Sequence, residues 1–363
     1  MINTPKVAVV ILNWNGVKYL KQFLPSVLAS TWPGLEIVIG DNASADDSIS
    51  FLKENYPAIR IIQNDKNYGF TGGYNRVLNQ VEADYYILLN SDVEVTPGWI
   101  EPVISLMESD EQIAAAAPKL LSFAQKDQFE HAGAAGGFID SFGYPFCRGR
   151  MFYEVEHDLG QYEQSGEVFW ASGASLFIKK KYWDEAGGFD EHFFAHMEEI
   201  DLCWRLKNLG YKVMYCAQST IYHVGGGTLN AENPFKTYLN FRNNLLLLKK
   251  NLPFWRAFFV ISIRFCMDLL AIFRFMAEGK RKDAWAVSRA HQNFVLGLMG
   301  IRGSGYGVRD FNNRTDNAKP RTTQHASGTI SKNLKGMYKG SIVWAFFAKK
   351  KTKFTDLDQA DLI

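Results

Sequence analysis

The sequence predicts an α/β fold in which a mostly parallel central sheet carries helices on both faces. Two observations lead to this prediction. Across residues 7–90, short apolar segments alternate with segments whose apolar residues recur at helical spacing, and the polar links between them are short. The apolar content of 47% and the 27 Phe residues are sufficient for a large packed core. Strands that are apolar on both sides are typical of parallel sheets covered by helices.

The elements of this half follow one another in a regular order. Fully apolar or β-branched runs are predicted as strands, and the runs between them, whose apolar residues recur every three or four positions, as helices. The predicted strands are VAVVILNW (7–14), LEIVIGD (35–41), IRIIQN (59–64) and YYILLN (85–90), and the predicted helices are 19–30, 47–56 and about 72–82.

Composition excludes several classes of protein. The four cysteines show no paired spacing and the seven histidines are scattered, which indicates free thiols in a reducing compartment rather than a disulfide scaffold or a zinc module. The stretch MINTPKVAVV passes directly into the first strand, so we expect no signal peptide and a cytoplasmic protein. Charge is uneven: residues 1–249 hold 20 Lys and Arg against 30 Asp and Glu, and residues 250–353 hold 20 against 5. An acidic front and a basic back suggest two separate tasks.

Polar side chains collect where the predicted strands end. They are Asn13 and Asn15, Asp41 and Asn42, Asn64 and Asp65, and Asn90, Ser91 and Asp92. Ligands of open α/β sheets bind at the carboxyl ends of the strands. Asp41 is suited to accept hydrogen bonds from a ribose or a pyrimidine edge, although DNAS (41–44) also has the composition of a turn and a helix N-cap.

The segment NYGFTGGYN (67–75) contains more glycine than a helix start needs, and glycine allows a backbone to approach a phosphate closely. We predict a loop here that contacts a ligand through Asn67, Gly73 and Asn75. No GxGxxG follows the first strand, which disfavours a nicotinamide-dependent oxidoreductase.

Asp92 follows the buried run YYILLN, where a carboxylate is costly to dehydrate. A carboxylate at that place is suited to bind Mg²⁺ or Mn²⁺, which would in turn hold a diphosphate against an acidic domain. The alternative is a turn residue or a cap.

Seven segments in order resemble glycosyltransferase family 2, over about Lys6–Lys250. They are VVILNWNG, DNAS, NYGFTGGYN, LLNSDVEV, WASGASLFIKK, GGFDEHFFAHMEEIDLCWRLKNLGYK and YHVGGGT. The resemblance implies a GT-A fold, Rossmann-like, and an activity like that of bacterial rhamnosyltransferases of cell-surface polysaccharides. It also implies a nucleotide-sugar site that includes Asn13, Asp41 and Asn90. Asn90-Ser91-Asp92 stands for the family's DxD-type motif, with Asn90 in place of the first Asp and Asp92 as the metal ligand.

The second half of the predicted site lies in HMEEIDLCWRLKNLG (196–210), which has helical spacing. Inverting transfer needs one carboxylate to take the proton of the acceptor hydroxyl. The family's motif is Glu-Asp with the Asp as base, so the resemblance assigns the base to Glu199, with Glu198 as the alternative. Asp201 and Arg205 are predicted as a structural i,i+4 pair. The resemblance places His223 near the metal and diphosphate. Residues 121–168 are predicted as an irregular acceptor side.

The basic back half starts with a helix predicted over 253–282, where seven charged residues fall on a single arc and large apolar residues occupy the rest. This pattern is typical of a helix in a bilayer interface, and SIVWAFFAKKKTKF (341–354) repeats aromatics beside lysines. The alternatives are a helix packed on the catalytic domain and a true membrane span. No motif for nucleic acid is present, so we expect no nucleic-acid partner.

We therefore predict a catalytic domain over 1–250, with a nucleotide half (1–120) and an acceptor half (121–250), amphipathic membrane-associating helices over 251–300 and a basic, partly ordered tail over 301–363. The predicted activity is metal-dependent inverting transfer from a dTDP- or UDP-sugar to a lipid-linked or cell-surface glycan, by an enzyme on the inner, anionic face of the cell membrane. A catalytically silent nucleotide- or glycan-binding module on the same fold is the alternative.

Overall fold

The computed structural model describes residues 4–131, 133–225, 233–299 and 334–363. Two predicted features extend beyond these ranges: the last residues of YHVGGGT and the part of the basic tail between 301 and 333 lie outside the described residues.

Strands and helices alternate through the first part of the chain, up to residue 108. Later in the chain, strands follow strands over residues 113–179, and three helices follow one another over residues 234–298. The strands are β1 Val7–Asn13, β2 Glu36–Asp41, β3 Arg60–Gln63, β4 Tyr85–Asn90, β5 Val93–Val95, β6 Ile113–Ser122, β7 Gly137–Asp140, β8 Pro145–Cys147, β9 Arg150–Met151, β10 Glu154–Val155, β11 Gly166–Glu167, β12 Ser175–Lys179, β13 Lys212–His223 and β14 Met337–Tyr338. The α-helices are α1 Val17–Leu28, α2 Ser48–Asn55, α3 Gly69–Leu78, α4 Ile100–Glu108, α5 Lys180–Ala186, α6 Glu198–Asn208, α7 Pro234–Asn251, α8 Phe254–Ala277 and α9 Arg281–Leu298.

The central sheet has the order β11-β13-β6-β12-β4-β1-β2-β3, with β5 paired to β13. Strands β4, β1, β2 and β3 are parallel, whereas β12 runs antiparallel to both β4 and β6. Successive residues of β1 point to opposite faces: Val9 joins the core under α1 and α4, and Val10 joins the core under α3. The α/β prediction is confirmed, with a sheet that is parallel in the nucleotide half and mixed beyond it.

One predicted loop is helical. NYGFTGGYN was expected to be a ligand loop leading into a helix from about residue 72, but α3 already begins at Gly69 and ends at Leu78. Packing explains the glycine: a Cβ on Gly73 would stand 2.8 Å from Cδ2 of Leu12. The glycines therefore let α3 lie close to β1.

The predicted irregular region contains a second, smaller sheet in the order β10-β9-β8-β7-β14. Its last strand comes from the far end of the chain, where Met337 pairs with Ile139. The Phe354 ring packs 4.8 Å from that of Phe138, and Asp140 accepts a 2.9 Å hydrogen bond from the backbone of Ile342. Residues 334–363 thus pack on the small sheet and supply one of its strands.

Helix α8 contacts the rest of the protein through part of its charged arc, as in the alternative of a helix packed on the catalytic domain. Arg264 and Asp268 are buried. Arg264 donates to Asn244 Oδ1 and lies 3.7 Å from the Tyr144 ring centroid, while Asp268 contacts His291 Nε2 at 2.9 Å. The side chains of Arg264 and Asp268 therefore point toward the protein interior, where polar partners on α7, on α9 and beside the small sheet bind them.

The apolar arc of α8 faces outward. Large side chains along the whole helix are exposed, including Phe254 (74%), Leu270 (70%) and Phe273 (69%). The helix predicted over 253–282 also ends earlier, at Ala277, and α9 begins at Arg281 after Gly279 adopts a positive φ of 75°. Within the described residues, none of the helices is both long and apolar enough to cross a membrane.

Candidate active site

The carboxyl ends of β1, β2 and β4 lie side by side, and the sheet register brings their polar residues together. Asn13 is paired with Asp41 across β1 and β2, and Leu12 with Asn90 across β1 and β4. Asn90 is half-buried, and its backbone N–H donates to Ala174 O at 3.0 Å. The structure thus assembles the strand ends that the sequence predicts to meet.

Asp41 is almost fully buried and held in place by its neighbours. Its Oδ1 accepts from Asn13 Nδ2 at 3.2 Å, and its Oδ2 accepts from the backbone of Ser44 at 3.0 Å. Asn13 Oδ1 is buried and has no hydrogen-bond partner in the part of the chain that the structure describes. Asp41 therefore stabilises the turn, and the Asn13 Oδ1 beside it is available as a hydrogen-bond acceptor. That Asp41 contacts a nucleotide stays a prediction.

The other predicted nucleotide-site residues differ in their surroundings. Asn67 Oδ1 accepts from Asn42 Nδ2 and from the backbone of Gly69, both at 2.8 Å, so it braces the start of α3. Asn75 is buried and bonds Phe189 in both directions, donating to its carbonyl at 2.9 Å and accepting from its N–H at 3.0 Å. Asn75 and Gly73 serve packing in this structure, and we leave both out of the proposed site.

Asp92 and His223 are neighbours because β13 pairs with β5. His223 is opposite Val93 in that ladder, and its Nε2 lies 3.2 Å from Asp92 Oδ1. His223 Nδ1 lies 3.2 Å from Glu130 Oε2 on the other side. We call Asp92, His223 and Glu130 the acidic–histidine cluster; all three are buried.

The two carboxylates determine the charge of the histidine. Burial alone would lower the pKa of His223, but the carboxylates of Asp92 and Glu130 beside its two ring nitrogens outweigh burial and raise that pKa to about 10. Without a bound cation the imidazole is therefore protonated at neutral pH. A metal ion at Nε2 would take the place of that proton, while Glu130 would still accept from Nδ1.

The cluster fits the predicted metal with two ligands, Asp92 and His223. Mg²⁺ and Mn²⁺ in such sites are bound by one or two carboxylates, and substrate phosphates and water complete the shell. Over the described ranges, no group of three or more His, Cys, Asp or Glu side chains is arranged to enclose an ion by itself.

Sequence reasoning missed Glu130. It lies in the segment predicted to be irregular, and it contacts His223 only because its backbone N–H bonds Leu120 O of β6 at 3.1 Å, and β6 pairs with β13. No local motif marks it. The signal that was available is a carboxylate in a glycine- and aromatic-rich stretch, QFEHAGAAGG.

Glu198 and Glu199 open helix α6, and each has one carboxylate oxygen, Oε2, that is buried without a hydrogen-bond partner among the described residues. Burial raises the pKa of Glu199 to about 7, against the backbone hydrogen bonds at the helix start that lower it. Burial, and then the charge of Glu199, raises the pKa of Glu198 well above its ordinary value. Glu198 is more buried than Glu199.

The two glutamates face different parts of the molecule. A Cβ on Gly173 would stand 3.7 Å from Cδ of Glu199, on the side of the WASG segment. Glu198 instead acts on Tyr74 of α3, whose pKa is raised chiefly by burial and further by the Glu198 charge. Asp201 is structural as predicted: it is fully buried and accepts from Arg205 Nε at 2.9 Å.

Cys147 connects the two halves of the candidate site. Burial raises the pKa of its thiol to about 12, and the carboxylates of both Glu130 and Glu199 act in the same direction. Cys147 therefore lies within electrostatic reach of both Glu130 of the acidic–histidine cluster and Glu199. All four cysteines are free.

Comparison with known proteins identifies the domain. Residues 8–181 match the family model for Glycosyl transferase family 2. An N-acetylglucosaminyl-diphospho-decaprenol L-rhamnosyltransferase of Mycobacterium tuberculosis is 24% identical over 236 residues, which cover 61% of this chain and 76% of that protein. The O-antigen biosynthesis protein RfbC of Myxococcus xanthus is 25% identical over 233 residues, 63% of this chain and 18% of that protein.

Solved structures agree on the fold. GalNAc-T7 with UDP, GalNAc and Mn²⁺ aligns with a TM-score of 0.54 at 16% identity, over 69% of this chain and 48% of that chain. The mannosyltransferase PcManGT from Pyrobaculum calidifontis, in complex with GDP-Man and Mn²⁺, aligns with a TM-score of 0.51 at 12% identity, over 82% and 88%. At these identities the likeness shows the fold alone, and it confirms the predicted GT-A type.

Proposed function

We propose that this chain, whose residues 8–181 match the Glycosyl transferase family 2 model, transfers a sugar, with inversion, from a nucleoside diphosphate donor to a glycan or lipid-linked acceptor. One observation carries the proposal: the half-buried Glu199 has one buried carboxylate oxygen without a hydrogen-bond partner among the described residues and a pKa raised to about 7, and its charge and that of Glu130 both act on the thiol of Cys147. A proton acceptor and a cation site that both act on one buried thiol are the two groups that direct displacement at an anomeric carbon requires.

Donor binding is assigned to the strand ends. Asp92 and His223 would hold Mg²⁺ or Mn²⁺, which when bound neutralises the diphosphate charge and stabilises it as a leaving group. Asn13 and Asp41 would contact the base or ribose, with Asn90 beside the diphosphate. The Mn²⁺ and nucleotide named with GalNAc-T7 and PcManGT support this assignment.

The transfer step balances without a covalent enzyme intermediate. The acceptor hydroxyl oxygen forms a bond to the anomeric carbon as the bond from that carbon to the diphosphate oxygen breaks. The hydroxyl proton passes to Glu199, and the nucleoside diphosphate leaves with the electron pair. A pKa of about 7 suits Glu199 to this task, because a general base works best when its pKa lies near the operating pH.

The donor and acceptor classes rest on the relatives' names. A rhamnosyltransferase acting on a lipid-linked sugar and an O-antigen biosynthesis protein support a dTDP- or UDP-linked hexose or deoxyhexose and a lipid-linked or cell-surface glycan.

The test is a panel of nucleotide sugars with Mn²⁺ and Mg²⁺, read by mass spectrometry for transfer and for hydrolysis, with Glu199→Gln as the inactive control. A protein that binds a donor but neither transfers nor hydrolyses it is a silent binding module, and the proposal fails.

We also propose that the outward face of α8 lies in a membrane interface at the inner, anionic leaflet. Exposed aromatic residues along α8 are continued by Trp344 at 64% exposure, and the lysines at 349–351 follow directly. An apolar face beside lysines suits an interface with anionic headgroups, because the apolar side chains enter the acyl boundary while the lysines remain at the surface.

Flotation with vesicles of anionic lipid tests the membrane proposal. We expect the full chain to float at low salt and to float less, but still measurably, at high salt, because charge attraction is screened whereas apolar burial is not. Phe259→Ser with Phe273→Ser should abolish flotation, and Leu159→Ser, at an exposed apolar residue outside α8, should leave it unchanged. Equal flotation of all three proteins would contradict the assignment of α8.

A further inference from the structure

The segment before helix α6 has an unusual backbone. Phe194, His196 and Met197 have positive φ angles of 66°, 69° and 72°, and Met197 is the residue that caps α6. We call residues 193–197 the left-handed loop. Residues other than glycine rarely adopt this conformation, and it persists only where surrounding contacts impose it. Because Glu198 and Glu199 follow directly, the loop sets the direction in which α6 presents them.

One side chain of α7 holds three carbonyls of this segment. Asn243 is fully buried, and its Nδ2 lies 2.9 Å from Phe193 O, 2.8 Å from Ala195 O and 2.7 Å from His196 O, so these three carbonyls share its two N–H protons. Its Oδ1 accepts from Arg242 Nε at 2.9 Å. The orientation of the amide is therefore fixed by chemistry, since only the nitrogen can donate to carbonyl oxygens and only the oxygen can accept from a guanidinium.

The same loop is attached to the nucleotide half from its other side. Phe194 O accepts from the backbone of Phe70 at 2.9 Å and of Thr71 at 3.2 Å, both in the first turn of α3. A Cβ on Gly69 would stand 2.3 Å from the Phe194 ring. The left-handed loop is thus the junction of α3, α6 and α7. Two residues attach it to α7: Arg242, whose Nη2 donates to Phe193 O at 3.1 Å, and Asn243, whose amide reaches the carbonyls nearest to α6.

We propose that Asn243 is a positioning residue for transfer: its amide holds the left-handed loop and so directs Glu199 at the acceptor hydroxyl. This inference rests on the proposed function, in which Glu199 takes the proton. Asn243 itself does not touch the reacting atoms. Its loss should therefore lower kcat while donor binding, which depends on the strand ends, stays nearly unchanged.

The adjacent residue provides a matched control. Asn244 is buried to a similar degree on the same helix, but its Nδ2 donates to Gly143 O at 2.6 Å and its Oδ1 accepts from Arg264, away from the left-handed loop. Asn243→Ala and Asn244→Ala each remove a buried amide, so both should lower the melting temperature. Only Asn243→Ala should affect the loop.

Three measurements on the full chain test the inference. For Asn243→Ala we expect kcat to fall about 10- to 100-fold, with the donor Kd changed less than about threefold and faster hydrogen exchange across residues 193–201, whereas Asn244→Ala should retain kcat and exchange in that segment. In a Glu199→Gln background, Asn243→Ala should cost little more activity, because both changes act on one step.

Equal loss of kcat in Asn243→Ala and Asn244→Ala would show a general folding effect and overturn the inference, as would additive effects in the double variant. These failures are distinguishable from failure of the proposed function. In the latter case Glu199→Gln itself would retain transfer.

Discussion

The candidate site contains two pairs of carboxylates, and the two pairs have opposite surroundings: one has a cationic partner, and the other has none within the described ranges. In the acidic–histidine cluster, Asp92 and Glu130 each lie 3.2 Å from a ring nitrogen of His223. At the start of α6, Glu198 is buried and Glu199 half-buried, and one buried carboxylate oxygen of each lacks a hydrogen-bond partner among the described residues. A paired carboxylate is stabilised in its charged form, whereas burial without a partner favours the neutral acid.

This difference suits the two pairs to different roles, metal binding for one and proton transfer for the other. Charged, paired groups can exchange the histidine proton for a cation, which makes the cluster suited to a metal and a diphosphate. An unpaired carboxylate with its pKa raised to about 7 can accept a proton during the reaction and release it afterwards. Substitutions in each pair test whether the cluster binds the metal and Glu199 takes the proton.

The largest effect is expected from Glu199→Gln, which preserves size but cannot accept the proton. We expect kcat to fall by roughly 10²–10⁴, with donor affinity nearly unchanged. In the parent enzyme, kcat should rise with pH through about 7, because the base must be deprotonated, and the variant should lose this dependence. The measurement is a pH–rate profile with calorimetric donor binding. If Glu198→Gln is the inactive variant instead, the base is the neighbouring residue.

The next largest effect is expected from Asp92→Ala. We expect transfer to fall by about 10²–10³, since a charge that stabilises the leaving diphosphate is lost, and the metal-dependent part of nucleotide binding to disappear in titration calorimetry. Glu94→Ala, which removes a surface carboxylate paired with Lys126, is the control and should retain both. Full activity of Asp92→Ala in the presence of chelator would exclude a metal role.

Glu130→Gln should act through His223. Residues that orient a metal-ligating histidine typically contribute about 10- to 100-fold in metal affinity, and we expect a loss in that range when Mn²⁺ binding is followed by electron paramagnetic resonance. The chain contains a matched control: Asp127 lies 3.2 Å from His157 in an exposed pair. If Asp127→Asn weakens Mn²⁺ binding equally, Glu130 has no specific role.

The smallest effect on activity is expected from Glu198→Gln, which should change kcat by less than about tenfold. Its effect on stability depends on pH. Because burial raises the pKa of Glu198 in the folded protein, the folded state loses stability as pH rises above the ordinary value of 4.5. Urea unfolding should show the variant to be more stable than the parent at pH 8.5, with a smaller difference at pH 5. A variant that is less stable at pH 8.5 would mean that the carboxylate is stabilised in its charged form.

The sequence by itself determined the parallel strands, their order along the chain and the polar residues at their ends. Local apolar periodicity is sufficient for that, and parallel pairing then places Asn13 next to Asp41 without further information. It also determined the pairing of Asp201 with Arg205, because residues four apart on a helix are always neighbours.

Only the tertiary structure decided the rest. Helical periodicity shows that α8 has two different faces, but the partners that turn Arg264 and Asp268 inward lie on other elements: Asn244 on α7, His291 on α9 and Tyr144 beside the small sheet. Glu130 reaches His223, and Asn243 reaches the left-handed loop, through contacts between residues far apart in the chain. Such contacts depend on how elements pack together, and no local pattern of residue types encodes that packing.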